Sequence, residues 1–254
     1  VSTLVIVPTV NEADNIASVL ERIRASAPTV DIMVVDDGST DGTRELVRAA
    51  MAADPGVRLV ERGRPRGLAD AYLHAFRIGL DEGYDALVEI DADLSHDPAI
   101  LPMMLDLTDR GIALVIGSRY IPGGKVIGWP RRRTWLSRWG NRYAGLVLGL
   151  ALNDSTAGYR VYRADTLRRI GLDDVAADGY GFQIEMTYRT VREGLSVVEV
   201  PISFRERVAG SSKMHRGIVV EAFWLVTRWG FADLVTFRRL RRTYRSLPTR
   251  LDDA

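Results

Sequence analysis

The chain has 254 residues, 46% of them hydrophobic and 26% charged, with 34 Lys+Arg against 33 Asp+Glu and no cysteine. That apolar content at a net charge of +1 excludes bulk disorder and argues against a nucleic-acid binder driven by overall charge. The lack of cysteine excludes disulfides, thiolate metal sites and cysteine nucleophiles, and three scattered histidines, His74, His96 and His215, argue against a histidine zinc site.

Leu4-Val5-Ile6-Val7, ended by Pro8, reads as a buried strand. A helix follows over Asn11–Ala27, with Ile16, Val19, Leu20 and Ile23 on one face and Asn11 or Asp14 as its cap. Asp31–Asp36 is a second strand, Asp37–Thr43 a turn, and the next helix runs to about Ala53. Val57–Glu61, Tyr84–Ile90 and Ala113–Gly117 read as further strands, with helices over Gly67–Asp81 and Pro98–Arg110 between them. Strand–helix alternation with short connections predicts a mostly parallel α/β sheet covered on both faces. Acidic or polar residues follow three strand ends, Asp36-Asp37, Asp91/Asp93 and Ser118-Arg119, and the carboxyl ends of such strands line the ligand crevice.

The second half changes character. A Gly- and Arg-rich loop over Gly123–Arg133 precedes a helix over Trp135–Leu150. A mixed segment then leads to a helix at Phe182–Glu193, a strand at Val197–Pro201, a polar loop over Glu206–Arg216 and an amphipathic stretch over 218–237. The expected division is one catalytic unit over 1–215, including the helix 134–150, followed by an amphipathic extension and basic tail over 216–254. No uncharged apolar stretch of about 18 residues spans a bilayer, since Ile218–Val235 is interrupted by Glu221, Arg228 and Asp233. The opening Val1-Ser2-Thr3 has no basic lead-in, so no leader is read there; a processed chain, an unusual start codon or an excised domain is expected.

The strongest chemical feature is Asp91-Ala92-Asp93 just past a buried strand. Alone, such a turn caps a helix as readily as it binds an ion. At a crevice with other acids nearby, it presents carboxylate oxygens to a hard divalent cation bridging a diphosphate. In Asp36-Asp37, one acid can order the turn by accepting N–H groups while the other meets a base or ribose; Ser39, Thr40 and Asp41 read as helix-capping residues. The Gly-X-Gly-X-X-Gly fingerprint, the phosphate loop and the Gly-X-Ser-X-Gly elbow are all absent, which argues against dehydrogenases, P-loop nucleotidases and serine hydrolases.

Six further segments complete a pattern. They are Val7-Pro8-Thr9-Val10-Asn11-Glu12, Val35–Asp41, Arg66-Gly67-Leu68, Asp91–His96, Gly117-Ser118-Arg119-Tyr120 and Arg207–Lys213. In this order and spacing, together with Asn153–Arg160, the chain resembles a family 2 glycosyltransferase of the GT-A fold, of the polyprenol-phosphate (dolichol-phosphate) mannose synthase kind, from Leu4 to about Lys213. It resembles the synthase domain of actinobacterial enzymes, some of which are fused to a membrane domain.

That resemblance implies a single α/β GT-A domain with a mostly parallel central sheet and C-terminal amphipathic interfacial helices. It implies that Pro8, Glu12 and Asp37 line a guanine-nucleotide pocket. Asp91 and Asp93, with Ser95 where the family often has Gln, would hold Mg²⁺ or Mn²⁺. Asp93, Arg119, Arg207 and Lys213 would carry the catalytic work, the three cations meeting phosphate groups of donor and acceptor. The stretch Arg131-Arg132-Arg133 lies where the family has a phosphate-contacting arginine; the resemblance leaves its register open, and Arg131 is taken for that arginine. Arg66 has either a nucleotide or a surface role, and His96 a supporting one. The implied reaction is inverting transfer of mannose from GDP-mannose to a polyprenyl monophosphate, at the cytoplasmic face of the membrane and peripheral to it. A membrane-protein partner or fused membrane domain is expected, and no nucleic acid. Trp129–Trp135 with its following helix reads as either an interfacial element or a core helix with a solvated flank; Ile218–Phe237 is a second interfacial candidate, and the Arg238–Arg250 tail either touches anionic lipid or is solvated. The rival readings are a same-fold transferase using UDP-glucose or another nucleotide sugar, a phosphatase built on Asp91-X-Asp93-X-Ser95, and a non-catalytic nucleotide-sugar scaffold.

Overall fold

The computed structural model describes residues 1–63, 67–177, 179–206 and 216–235. In chain order these form β1 (Thr3–Thr9), α1 (Ile16–Ser26), β2 (Asp31–Asp36), α2 (Thr43–Ala53), β3 (Val57–Glu61), α3 (Leu68–Asp81) and β4 (Ala86–Glu89). A 3-10 turn at Pro98–Ile100 leads into α4 (Leu101–Asp109), then come β5 (Leu114–Ser118), β6 (Lys125–Ile127), α5 (Arg131–Leu148) and β7 (Arg160–Arg163). The chain continues with α6 (Ala164–Ile170), α7 (Gly179–Arg192), β8 (Val197–Pro201), β9 (Ser203–Arg205) and α8 (Arg216–Val235).

The main sheet is seven-stranded in the order β3-β2-β1-β4-β7-β5-β8. All its neighbours are parallel except β7, which runs antiparallel to both β4 and β5. The β1 strand shows why the sheet is two-sided. Leu4 and Ile6 enter a core with Tyr72, Phe76, Tyr162 and Phe182 on one face, and Val5 and Val7 enter another with Ile16, Ile23, Leu101 and Met104. Alternate side chains of a strand point to opposite faces, so a strand buried on both must be apolar throughout. The order reverses between β1 and β4, and this switch point opens a crevice at the strands' carboxyl ends.

Several expectations shift. Helix α1 starts at Ile16 behind Asn15, and Asn11 is no cap; its φ is +57° and its side chain accepts the Thr40 N–H at 2.8 Å. The Pro98 helix opens on a cap, Asp97 accepting the Ala99 N–H, as a proline at the first position favours. Within the Gly123–Arg133 loop, β6 pairs parallel to β9 as a small second sheet. Gly124 allows this, because a Cβ there would lie 2.7 Å from the Ser118 carbonyl oxygen. Helix α5 begins at Arg131, behind Pro130, and ends on Gly149 in the left-handed conformation.

A third apolar cluster joins α5, α7 and α8 through Ala144, Leu148, Ile184, Tyr188 and Val226. The outward side of α8 departs from the amphipathic expectation. Val220, Trp224, Phe231, Leu234 and Val235 are exposed, so the helix is apolar on its packed and its open sides. Among the described residues, no helix is long and apolar enough to cross a membrane.

Candidate active site

The β4 strand ends at the crevice with Glu89, and the turn Asp91-Ala92-Asp93 follows. Leu94 takes a φ of +61°, which an L-residue adopts only where its surroundings enforce it. Asp93 is buried and its Oδ1 accepts the Ser95 N–H at 3.0 Å. The Asp91 side chain is 31% exposed, with Oδ2 3.3 Å from His96 Nε2. His96 is wedged between Tyr159 and Phe204, with ring centroids 5.3 and 5.2 Å away. Ser95 Oγ is buried without a hydrogen-bond partner, the kind of orphaned oxygen that a bound ion or its water would satisfy. Among the described residues no three His, Cys, Asp or Glu side chains cluster as a metal cage. Two carboxylates and a hydroxyl fit a magnesium-type ion that takes its remaining oxygens from substrate phosphates and water.

Beside β4, the loops after β1 and β2 are cross-linked. Ser39 Oγ accepts the Asn11 N–H at 2.8 Å, Thr43 Oγ1 the Glu12 N–H at 2.9 Å and Asp41 Oδ2 the Ala13 N–H at 3.0 Å. The capping expectation gives way here: the residue ahead of α2 is Gly42 with no side-chain cap, and Ser39 and Asp41 tie the two loops together, Asp41 Oδ1 also accepting the Thr43 N–H at 3.0 Å. Pro8 and Glu12 are half-buried along this rim, and Glu12 Oε2 accepts from Asn15 Nδ2 at 2.9 Å. The two adjacent acids divide their work. Asp36 Oδ1 orders the turn by accepting the Gly38 and Ser39 N–H groups at 3.1 and 3.0 Å. Asp37 faces a different partner, the guanidinium of Arg62.

Arg119, at the end of β5, pairs with Asp154. It is buried, with Nε and Nη2 each 2.7 Å from the two oxygens of Asp154, and Nη2 also donates to Thr156 Oγ1 at 2.8 Å. Asn141 of α5 donates to Thr156 Oγ1 at 3.0 Å and accepts from Ser155 Oγ at 3.0 Å, so this network ties the 153–156 segment to α5. Glu199 of β8 anchors the same segment by accepting the Asn153 and Asp154 N–H groups, both at 2.9 Å. A buried guanidinium requires a paired carboxylate, and Asp154 supplies it.

Between α5, α7 and α8 lies a mostly apolar cavity of about 110 Å³. Trp139, Tyr143 and Phe223 form a stacked wall, and Arg133, Ser137 and Trp129 mark its polar edge. Arg133 stacks 3.9 Å over the Trp129 ring and pairs with Glu206 at 3.1 Å. Arg131, two residues earlier and so on the other side of α5, is exposed and does not line the cavity; Arg133 is the basic residue of this stretch that does. The Phe204 ring joins the cavity to the metal turn, 5.2 Å from both Trp129 and His96. Arg66, Arg207 and Lys213 lie outside the described residues, as does the Arg238–Arg250 tail.

Behind the turn, Arg160 of β7 is wholly buried, donating to the carbonyls of Ser155, Ala157 and Gln183 and to Thr187 Oγ1 and Tyr162 OH. Glu89 is equally buried; Gln183 Nε2 donates to its Oε2 at 2.7 Å and its Oε1 has no partner. Burial pushes the Glu89 carboxyl up to about 7, opposed by the nearby Arg160 charge and the Gln183 hydrogen bond.

Roles for Arg62, Arg160 and Glu199 were not read from the sequence. The signal for Arg160 and Asp154 was present in the segment Asn153–Arg160. For Arg62, the only available hint was the need of a strand-end acid for a counter-charge.

A switch-point crevice flanked by strand-end acids and an Asp-X-Asp turn, on this mostly parallel sheet, defines a nucleotide-sugar transferase of the GT-A type. Residues 4–171 match glycosyl transferase family 2, and the chain belongs to that family. It is 52% identical over 229 residues to undecaprenyl-phosphate mannosyltransferase of Micrococcus luteus, covering 90% of this chain and 94% of that one. It is 48% identical to polyprenol monophosphomannose synthase of Mycolicibacterium smegmatis, covering 90% and 86%. The fold resembles glucosyl-3-phosphoglycerate synthase of Mycobacterium tuberculosis in complex with UDP, with a TM-score of 0.67 at 22% identity over 91% of this chain and 80% of that one. The complex of that synthase with Mn²⁺ and UDP-glucose superposes with a TM-score of 0.62 at 24% identity, over 92% and 78%. The chain is thus a nucleotide-sugar-dependent glycosyltransferase closely related to actinobacterial polyprenyl-phosphate mannosyltransferases.

Proposed function

We propose that the chain transfers mannose from GDP-mannose to the phosphate of a polyprenyl monophosphate, giving the β-mannosyl phosphate lipid and GDP. The observation that carries this reading is the apolar cavity edged by Arg133 and Ser137, one aromatic ring from the Asp91–Asp93 turn. An acceptor with an anionic head and a hydrocarbon tail matches that sequence of surfaces. The two mannosyltransferase relatives support the same pairing of donor and acceptor.

Asp91, Asp93 and Ser95 are the residues that would hold Mg²⁺ or Mn²⁺, and the bound ion would supply neutralisation of the donor diphosphate. Pro8, Glu12 and Asp37 line the nucleotide end of the crevice. An acceptor phosphate oxygen attacks the anomeric carbon as the bond to the diphosphate breaks, so the α linkage inverts to β. The attacking oxygen is already anionic, and no dedicated general base is required. Arg133 positions the acceptor phosphate. Arg207 and Lys213, outside the described residues, would meet the phosphates and oppose the charge that grows on departing GDP.

The exposed Trp135 and Trp139 on α5 and Trp224 and Phe231 on α8 would rest in the headgroup zone of a bilayer, making the enzyme peripheral at the cytoplasmic face. A membrane-protein partner or fused membrane domain would complete that anchorage. The test is transfer of radiolabelled mannose from GDP-mannose to a short polyprenyl phosphate, with Mn²⁺, Mg²⁺ or chelator, beside a UDP-glucose arm. Transfer from UDP-glucose alone would replace the donor assignment. Donor binding without turnover would make the chain a scaffold.

A further inference from the structure

Helix α5 carries Arg131, Arg132, Arg133, Arg138 and Arg142 and no acidic residue. Among the described residues only Arg133 of these pairs with a carboxylate, that of Glu206. The other four are exposed. The exposed Arg48 and Arg110 on other helices, by contrast, meet neighbouring acids, Glu61 at 2.6 Å and Asp106 at 2.8 Å.

At 3.6 residues per turn, Arg131, Arg132, Arg138 and Arg142 fall within an arc of about 120°. Trp135, Trp139 and Leu146 fall within the same arc and are 66%, 45% and 75% exposed. The opposite face holds Asn141, Ala144 and Leu148, which are buried. Charge and apolar rings are therefore interleaved on one outward face. Trp139 stacks on Phe223 of α8, with 6.2 Å between centroids, and both rings are exposed. From Phe223 the surface continues along α8 with Val220, Trp224, Phe231 and Leu234 exposed. Asp233 on that helix turns inward, accepting from Tyr188 OH at 2.5 Å. A basic strip set with tryptophans thus lies beside an apolar one.

A bilayer offers the same two zones, phosphates outside and hydrocarbon within. Arginine stems lie along apolar surface while their guanidinium groups reach phosphate oxygens, and tryptophan settles at headgroup level. An acidic protein surface would match the arginines but leave the apolar strip of α8 bare. We propose that the joined outward faces of α5 and α8 dock on a bilayer bearing anionic phospholipid, with Arg131, Arg132, Arg138 and Arg142 selecting it over a neutral one. The assignment rests on the peripheral-membrane reading above and names the lipid class that it requires.

The experiment is co-sedimentation of the full chain with vesicles of phosphatidylcholine alone and of phosphatidylcholine and phosphatidylglycerol in equal parts, at low and high salt. It compares the wild type with the double variant Arg138→Gln, Arg142→Gln, with thermal unfolding of each. The wild type is expected to bind the anionic vesicles at least about tenfold more tightly than the neutral ones, and salt to shrink that advantage. The double variant is expected to lose about thirtyfold on anionic vesicles, with binding to neutral vesicles and the melting curve as in the wild type. Its turnover of a short polyprenyl phosphate in neutral detergent is expected to be unchanged. Should the double variant fail to fold, Arg142→Gln alone carries the test, with a loss of about fivefold. A wild type that binds both vesicles equally, or a double variant that keeps the full preference, overturns the arginine assignment alone. Lost turnover in detergent would give these arginines to the acceptor phosphate and overturn it likewise. A wild type that binds neither vesicle overturns the peripheral-membrane reading, and the lipid selectivity with it.

Discussion

A single carboxylate, that of Asp154, holds Arg119 by both backbone and side chain. Its Oδ2 accepts the Arg119 N–H at 3.0 Å and Nε at 2.7 Å, and its Oδ1 accepts Nη2 at 2.7 Å. The pair joins the end of β5 to the segment before β7, and both side chains are almost wholly buried, 4% and 0% exposed. Replacing Asp154 by Asn leaves a buried guanidinium without its counter-charge. The expected cost is about 3–5 kcal/mol, or a fall in Tm of roughly 10 °C for a chain of this size, seen in thermal unfolding. A variant as stable as the wild type would show that Arg119 can turn to another anion.

At the metal turn, Asp93→Ala is expected to abolish turnover and the Mn²⁺ dependence of donor binding while leaving the melting curve of the metal-free protein close to wild type. Ser95→Ala removes a buried oxygen that has no protein partner. It is expected to lower turnover far less, about tenfold at most, and to raise the Mn²⁺ concentration needed for half-maximal activity. A metal requirement unchanged in both variants would remove the turn from the ion site.

The cavity can be filled from α5. A Cβ on Gly140 would meet nothing within 4 Å, so Gly140→Leu grows into open space. The change also replaces a poor helix former, a gain of up to about 1 kcal/mol. The expected variant folds at least as well as wild type and binds GDP-mannose unchanged, but its KM for a polyprenyl phosphate rises. An unaltered KM would place the lipid elsewhere.

Glu89 gives a pH signature. Burial pushes its carboxyl up to about 7 from an ordinary 4.5, so between those values the folded chain holds more protons than the unfolded one. Its contribution to stability is therefore present below 4.5 and is lost as pH rises through 7, by an order of magnitude of 3 kcal/mol at most. Unfolding of the metal-free protein followed from pH 4.5 to 8 should show this loss, and Glu89→Gln should flatten it. Parallel curves for the two proteins would mean that Glu89 stays ionised.

The strands β2 and β8 lie where their apolar runs place them, because a strand buried on both faces has little choice of composition. The strand β7 was hidden by its ends. Arg160-Val-Tyr-Arg163 looks like a surface turn, and only the acceptor carbonyls around Arg160 make a charged strand residue tolerable in the core. Short β6, with Lys125 and Ile127 exposed, carries no hydrophobic pattern at all. At the site, the Asp36–Asp37 pair and the Asp91–Asp93 turn were legible as strand-end chemistry. The pairing of Asp37 with Arg62 was not, since an ion pair across 25 residues leaves no local periodicity. Within the basic stretch, Arg133 turns toward Trp129, whereas Arg131, only two residues earlier, is exposed.

The position of β7 also governs the order in which the protein can be made. Among the described residues it is the only strand that touches both β4 and β5, so the strands synthesised before it do not join into this one sheet. A nascent chain that has emerged only as far as Ser118 carries the four strands β3-β2-β1-β4 and a lone β5, with bare edges on either side of a gap one strand wide. The four residues Arg160–Arg163 close that gap, and they bring the buried Arg160 into register with Glu89 and Ile116 as they do so. Vulnerability to aggregation during synthesis is thereby concentrated in the interval before residue 163 leaves the ribosome.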